Sequence, residues 1–311
     1  MEIKKFILRT ALFIVLVFTI DYLMSLGLSR FATSSQNDHR IELILKGNND
    51  FDVVIFGSSR AARNIRASEL SKELKIKAYN FGFLGSNIDF HELLLNYYLK
   101  SNNKKPKLIV LALDDTEEFF EKSNIGFRLD YLYPWIKYPL VKETINEREP
   151  FTYLSLSKAY PYKKCNLPTL YKTRGTVAPT DTIVTCGSMP IRYKSLTFDT
   201  MQFNNYFTYN KSKESPYLID KFTSFLSLCK KNNINLLLVY GPNYAPRINQ
   251  FSQRIIELSK GNNNIFFYQN TNEKFKEKQW FCDKYHLNYR GGMIFSKDLA
   301  NYISTCKLLI D

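Results

Sequence analysis

The residues best suited to chemistry are a hydroxyl pair near the start of the chain and a carboxylate–imidazole pair near its end. Ser58 and Ser59 follow Gly57, directly after the apolar run Val53-Val54-Ile55-Phe56. Asp283 precedes His286 by three residues, and the only other histidines are His39 and His91. At that spacing a carboxylate can fold back onto Nδ1 of the imidazole, fixing its tautomer and supporting the charge it takes up as a base. The other ring nitrogen is then left for a serine hydroxyl, which such a base turns into a nucleophile. These groups suit acyl transfer through a serine ester. Taken singly, Gly57-Ser58-Ser59 also reads as a turn that caps a helix, and Asp283-x-x-His286 as polar surface.

The elements between them must do the positioning. Phe51 to Phe56 reads as a buried strand, and Ala61-Ala62-Arg63-Asn64 as the start of a helix. A hydroxyl on the turn between them sits at a sheet edge, beside helix amides that stabilise developing negative charge. A helix over Ala67 to Leu74, a strand over Lys75 to Phe81 and a helix over Phe90 to Leu99 follow. Pro106 to Leu113 is apolar enough for a strand buried on both faces, and it runs into Asp114-Asp115-Thr116-Glu117-Glu118. Past a long irregular stretch come a helix over Tyr217 to Asn232, a strand over Leu236 to Tyr240 and a helix over Phe251 to Leu258. A strand over Ile265 to Tyr268 and a closing helix from about Gly292 to Ile303 end the chain. This alternation predicts an α/β fold with a parallel sheet and a site at the carboxyl ends of its strands. The body is expected over 51–311, with an insertion at about 119–215. That stretch is rich in Tyr, Phe and Pro, has no sustained period, and is too long for a bare loop. It reads as a lid, a substrate-binding cap or a cover over the sheet.

Residues 1–28 are expected to form a membrane anchor and 29–50 a polar connector with a short helix near Arg40 to Leu45. Lys4, Lys5 and Arg9 precede an apolar span in which only Asp21 is charged between Thr10 and Leu28. Basic residues before the span place the amino end in the cytoplasm and the body outside. A cleavable signal with its cut near Ser25-Leu26-Gly27 is the rival, and it also puts the body outside. Asp21 is expected either at the outer interface or against a polar group on a membrane partner.

A net charge of +14 could favour nucleic acid, anionic lipid or acidic glycan. The basic residues are spread along the chain with no arginine-rich arm, which argues against nucleic acid. The five cysteines (Cys165, Cys186, Cys229, Cys282 and Cys306) have no metal-like spacing. Cys165 and Cys186 could pair outside the cell, or all five could stay unpaired. No metal or cofactor is expected.

With these motifs in view, the chain resembles the SGNH (GDSL-like) hydrolase superfamily, and most of all its membrane-anchored members that modify cell-surface polymers. The match covers roughly Asp52 to Asp115 and Leu236 to Ile303. The resemblance implies a three-layer, flavodoxin-like arrangement with Ser59 as nucleophile, His286 as base and Asp283 as its orienting partner. It implies oxyanion donors at the Ser59 and Gly85 amides, Gly85 belonging to Asn80-Phe81-Gly82-Phe83-Leu84-Gly85. Two departures stand out. Ser58 replaces the usual Asp of the first block, and Asp114 stands where the family places an oxyanion-binding Asn. An ionised Asp114 would repel the oxyanion, and losing one such donor costs about 100- to 1000-fold in rate. Arg60 is expected either to contact an anionic substrate or to pair with Asp114 or Asp115. The implied function is a membrane-anchored, extracytoplasmic serine acyltransferase or esterase on O-acyl groups of a cell-surface polysaccharide, beside a membrane-bound O-acyltransferase. The alternative is a non-catalytic glycan-binding or scaffold protein of a polysaccharide-modification complex.

Overall fold

In the computed structural model the described residues are 2–33, 38–121, 123–164, 182–196, 198–202, 208–259, 261–262, 264–268 and 273–309. Five strands form one parallel sheet: β1 (Val53–Gly57), β2 (Ala78–Gly82), β3 (Leu108–Ala112), β4 (Asn235–Tyr240) and β5 (Ile265–Phe267), in the order β2-β1-β3-β4-β5. The strand order reverses between β1 and β3, and the crevice at the carboxyl ends of those two strands is where such sheets hold ligands.

The helices are α1 (Glu2–Ala32), α2 (Arg40–Lys46), α3 (Ser59–Asn64), α4 (Ala67–Leu74), α5 (Ile88–Ser101), α6 (Leu129–Leu132), α7 (Pro139–Arg148), α8 (Pro216–Lys231), α9 (Asn249–Ser259) and α10 (Tyr289–Thr305). Side chains alternate across a strand, so each face of the sheet draws on every second residue. Val53, Ile55, Leu108, Val110, Leu237 and Val239 pack with Ala61 of α3, Leu70 of α4 and Phe295 and Leu299 of α10. On the other face Phe56 meets Phe225 of α8 at 6.0 Å and Phe81 meets Tyr98 of α5 at 6.0 Å between ring centroids. The result is an α/β fold of three layers, with the central strands β1 and β3 fully covered.

The stretch between β3 and β4 is not a single loop. Its ends meet, with the Ser215 amide donating to the Phe119 carbonyl at 2.8 Å beside a bridge between Phe120 and Glu214. Within it, residues 186–189 run against β2 and α3. The Asn80 amide donates to the Cys186 carbonyl at 2.9 Å, and the Met189 amide to the Ala62 carbonyl at 2.6 Å. Cys186 is a free thiol. Cys165 lies outside the described residues, and so does the pairing considered for it.

By its internal contacts the chain falls into two units: Met1–Leu45 with Arg128–Thr176, and Lys46–Phe127 with Val177–Asp311. The second holds the sheet and every residue considered for chemistry. In the first, Ile41, Ile44, Trp135 and Val141 are buried, and the His39 ring lies edge-on to Trp135 at 5.2 Å. Helix α1 is long and apolar enough to cross a membrane. Its one mid-span charge, Asp21, is met inside the chain. The carboxylate accepts from the Ser157 hydroxyl and from the amides of Lys158 at 2.7 Å and Ala159 at 3.3 Å.

Candidate active site

The site is assembled at the carboxyl ends of β1, β2 and β3. Gly57 ends β1 with φ +143°, and a side chain there would lie 2.8 Å from both the Ala112 carbonyl oxygen and the Ala61 Cβ. Only glycine lets β1 turn this tightly into α3. The Ser58 hydroxyl accepts from the Arg60 amide at 3.3 Å and caps the helix, which places Ser59 at its first position.

Two hundred residues later the loop before α10 brings His286 to this point. Its Nε2 lies 2.8 Å from the Ser59 Oγ, and its Nδ1 lies 2.9 and 3.0 Å from the two oxygens of Asp283. With Nδ1 carrying its proton toward the carboxylate, Nε2 accepts the serine proton. Asp283 is itself held by the amides of Tyr285 at 2.8 Å and His286 at 2.9 Å. Burial pushes its carboxyl up, but His286 and these amides outweigh that and keep it below the usual carboxylate range. Asp283 therefore stays ionised at neutral pH.

Asn64, which the sequence reading did not single out, holds the histidine loop. Its Oδ1 accepts from the Leu287 amide at 2.9 Å and its Nδ2 donates to the Tyr285 carbonyl at 3.2 Å, so both neighbours of His286 are tied to the helix that carries Ser59. Asn64 is a positioning residue. Asn64→Ala should lower kcat by roughly 100-fold, the cost of about 1 Å of misplacement, while KM stays close to its starting value. Steady-state kinetics on a small ester would check this.

Gly85 lies in the loop after β2 at φ +68°, a conformation that favours glycine. The Gly126 amide donates to its carbonyl at 2.9 Å, and the Phe83 amide donates to the Gly57 carbonyl at 3.0 Å, which ties this loop to the nucleophile turn. Asn80 locks the same region from within. Its Nδ2 donates to the carbonyls of Ala61 and Ile65, each at 2.8 Å, and its Oδ1 accepts from the Gly82 amide at 2.8 Å.

Arg60 and Asp114 are engaged with each other. The buried guanidinium lies 3.2 Å from Asp114 through Nε and 2.9 Å from Asp115 through an Nη. Asp115 also accepts from the Asn243 side chain at 2.6 Å, and its backbone is left-handed at φ +40°. Glu118, fully buried, accepts from the Asp114 amide at 2.6 Å. Three buried acids thus share one arginine. Burial pushes both Asp114 and Glu118 above the ordinary carboxylate range, and their mutual repulsion with Asp115 adds to this against the pull of Arg60. Burial disfavours the Arg60 charge, yet Asp115 and Asp114 more than offset that and hold it protonated.

Beside His286 in sequence, at the start of α10, a pocket of about 510 Å³ is lined by Ile191, Arg192, Tyr193, Lys194, Asn288, Tyr289 and Arg290. The Tyr289 ring is met by Arg66 at 3.9 Å and Arg192 at 4.9 Å. This lining is cationic and aromatic, suited to an anionic ligand with a flat or ring-shaped face. Among the described residues no cluster of His, Cys, Asp or Glu could hold a metal ion.

No protein-family model matches this chain. None of the curated proteins matches it either. Among solved structures, one from Streptococcus pneumonia, described provisionally as a platelet activating factor, is similar. It shares 10% identity over 95% of this chain and 98% of that one, with a TM-score of 0.39. A likeness at that level says nothing of chemistry.

Proposed function

We propose that this chain is a membrane-anchored, extracytoplasmic serine acyltransferase or esterase of SGNH type, acting on O-acyl groups of an acidic cell-surface polysaccharide. The observation that carries this reading is the unbroken chain of contacts from the Ser59 hydroxyl through His286 to Asp283. Ser59 Oγ attacks the acyl carbonyl while His286 Nε2 takes its proton, and Asp283 supports the imidazolium. The tetrahedral oxyanion is held by the Ser59 and Gly85 amides. Its collapse expels the donor alcohol, which leaves with the proton from His286. A sugar hydroxyl or water then attacks the Ser59 ester, losing its proton to His286, and the product ester or acid departs as Ser59 is restored. Asp114 turns its carboxylate to Arg60, so in this scheme the backbone amides do the work of the missing side-chain donor.

The acidic glycan is supported by the pocket of Arg192, Lys194 and Arg290. Reversing two of these charges, Lys194→Glu with Arg290→Glu, should raise KM for an oligogalacturonate acceptor roughly tenfold or more, since about 1.4 kcal/mol is a factor of ten. Hydrolysis of a small neutral ester should be unaffected. The cellular experiment for the whole reading is surface O-acyl content in a Ser59→Ala strain. A fall in esterified polysaccharide supports it, and unchanged content favours the non-catalytic scaffold.

A further inference from the structure

The N-terminal helix and the turn it holds carry a feature that the catalytic reading does not use. In a 3-10 turn over Tyr153–Leu156 and the residues around it, Phe151 is 73% exposed, Tyr153 88%, Leu154 56% and Leu156 61%. Four large apolar side chains exposed within six residues are unusual on a surface that faces only water. Part of the backbone under them is paired from within. The Ser155 amide donates to the Thr152 carbonyl at 2.8 Å, the Ser157 amide to the Leu154 carbonyl at 3.1 Å, and the Thr152 amide to the Ser155 hydroxyl at 3.2 Å. The Tyr160 amide donates to the Ser157 hydroxyl at 3.0 Å. A segment that enters hydrocarbon needs this kind of internal pairing, because no water is there to supply it.

Asp21 sets the depth. It lies twelve residues past Arg9 on α1, about 18 Å along the axis, well short of the far side of a hydrocarbon core about 30 Å thick. A carboxylate there needs protein donors, and among the described residues its three come from the end of this turn: the Ser157 hydroxyl and the Lys158 and Ala159 amides. Alongside, the Lys158 ammonium sits 4.9 Å from the centre of the Tyr22 ring, an aromatic–cation pair of the kind found where side chains reach from hydrocarbon toward head groups.

We propose that Phe151, Tyr153, Leu154 and Leu156 insert into the lipid leaflet on the body side of the membrane, beside α1, with Asp21 as the tie that fixes their depth. The occupant of this apolar surface is lipid. The residues that follow it, Ser157 to Ala159, are tied to the spanning helix at Asp21, and that tie favours lipid over a soluble partner. Two membrane contacts side by side then hold the first unit against rotation about a single helix.

The test is fluorescence quenching on the full chain carrying Leu154→Trp, reconstituted alone at low density in phosphatidylcholine–phosphatidylglycerol vesicles. The parent, with its Trp135 and Trp280, supplies the background. The added emission should fall at least twofold when the lipids carry brominated acyl chains, and should resist aqueous iodide. Emission quenched by iodide and not by bromolipid places the turn in water and overturns the proposal. Emission quenched by neither places it against protein, whether a second copy or another part of the chain, and overturns it as well.

Discussion

His286→Ala should reduce esterase turnover by on the order of 10⁴-fold or more, and Ser59→Ala should do the same. Among the described residues the Ser59 hydroxyl has one side-chain base within reach, at 2.8 Å, and that base has one carboxylate behind it. Without the imidazole the hydroxyl must ionise unaided, far from its natural range. Because the groups act as a unit, the double variant should be no slower than either single one. Asp283→Asn should cost nearly as much, since an amide at 2.9 Å from Nδ1 can donate to it and turn the tautomer the wrong way. All three single variants should keep the fold, because Ser59, His286 and Asp283 lie at the ends of elements and not in the packed sheet faces. Initial rates on a small aryl ester, beside thermal melts of each variant, would separate lost chemistry from lost structure.

Arg60→Met should destabilise the α/β unit by about 3–5 kcal/mol at pH 8, the usual cost of leaving buried charge without its partner. Arg60 lies against Asp114 and Asp115, and Glu118 is packed behind them with no exposed surface. The loss should shrink toward pH 5, where Asp114 and Glu118, both raised by burial, take up protons and need the arginine less. Glu118→Gln should act in the opposite direction. Burial raises the Glu118 pKa to about 8, so its neutral form fits the fold. The stability that Glu118 contributes is complete below its ordinary pKa and is lost as pH rises through about 8. Replacing it with a neutral amide that can still accept from the Asp114 amide should therefore raise stability at pH 8 by on the order of 2 kcal/mol, with little effect at pH 5. Denaturant midpoints at the two pH values give both signs.

The sheet was legible because its strands are short apolar runs buried on both faces. Val53–Gly57 and Leu108–Ala112 have no exposed position to interrupt the pattern. Boundaries slipped where a local cap overrode the pattern. Lys75 lies in the expected second strand, yet it takes φ +55° as the C-cap of α4, and β2 begins only at Ala78. Similarly, α3 begins at Ser59 and not at Ala61, because the Ser58 hydroxyl supplies the cap. The serine and histidine stood out by type, since an imidazole is rare in this chain. Asn64 did not. It acts on backbone groups 221 and 223 residues away, and such partners leave no spacing signal. Residues 186–189 escaped for a related reason: they form no regular element, and their order comes from backbone bonds to Asn80 and Ala62. The partner of Asp21 was hidden too, since Ser157 lies in an irregular stretch 136 residues on.

The most direct measurement is the intact mass of the detergent-solubilised full chain after incubation with a fluorophosphonate, followed by peptide mapping. An activated serine forms one phosphonate ester by displacing fluoride, and an unactivated one does not react on that timescale. One adduct on the peptide carrying Ser59, absent in His286→Ala, is what an assembled Ser59–His286–Asp283 relay predicts. No adduct, or one whose formation ignores the loss of His286, would contradict it.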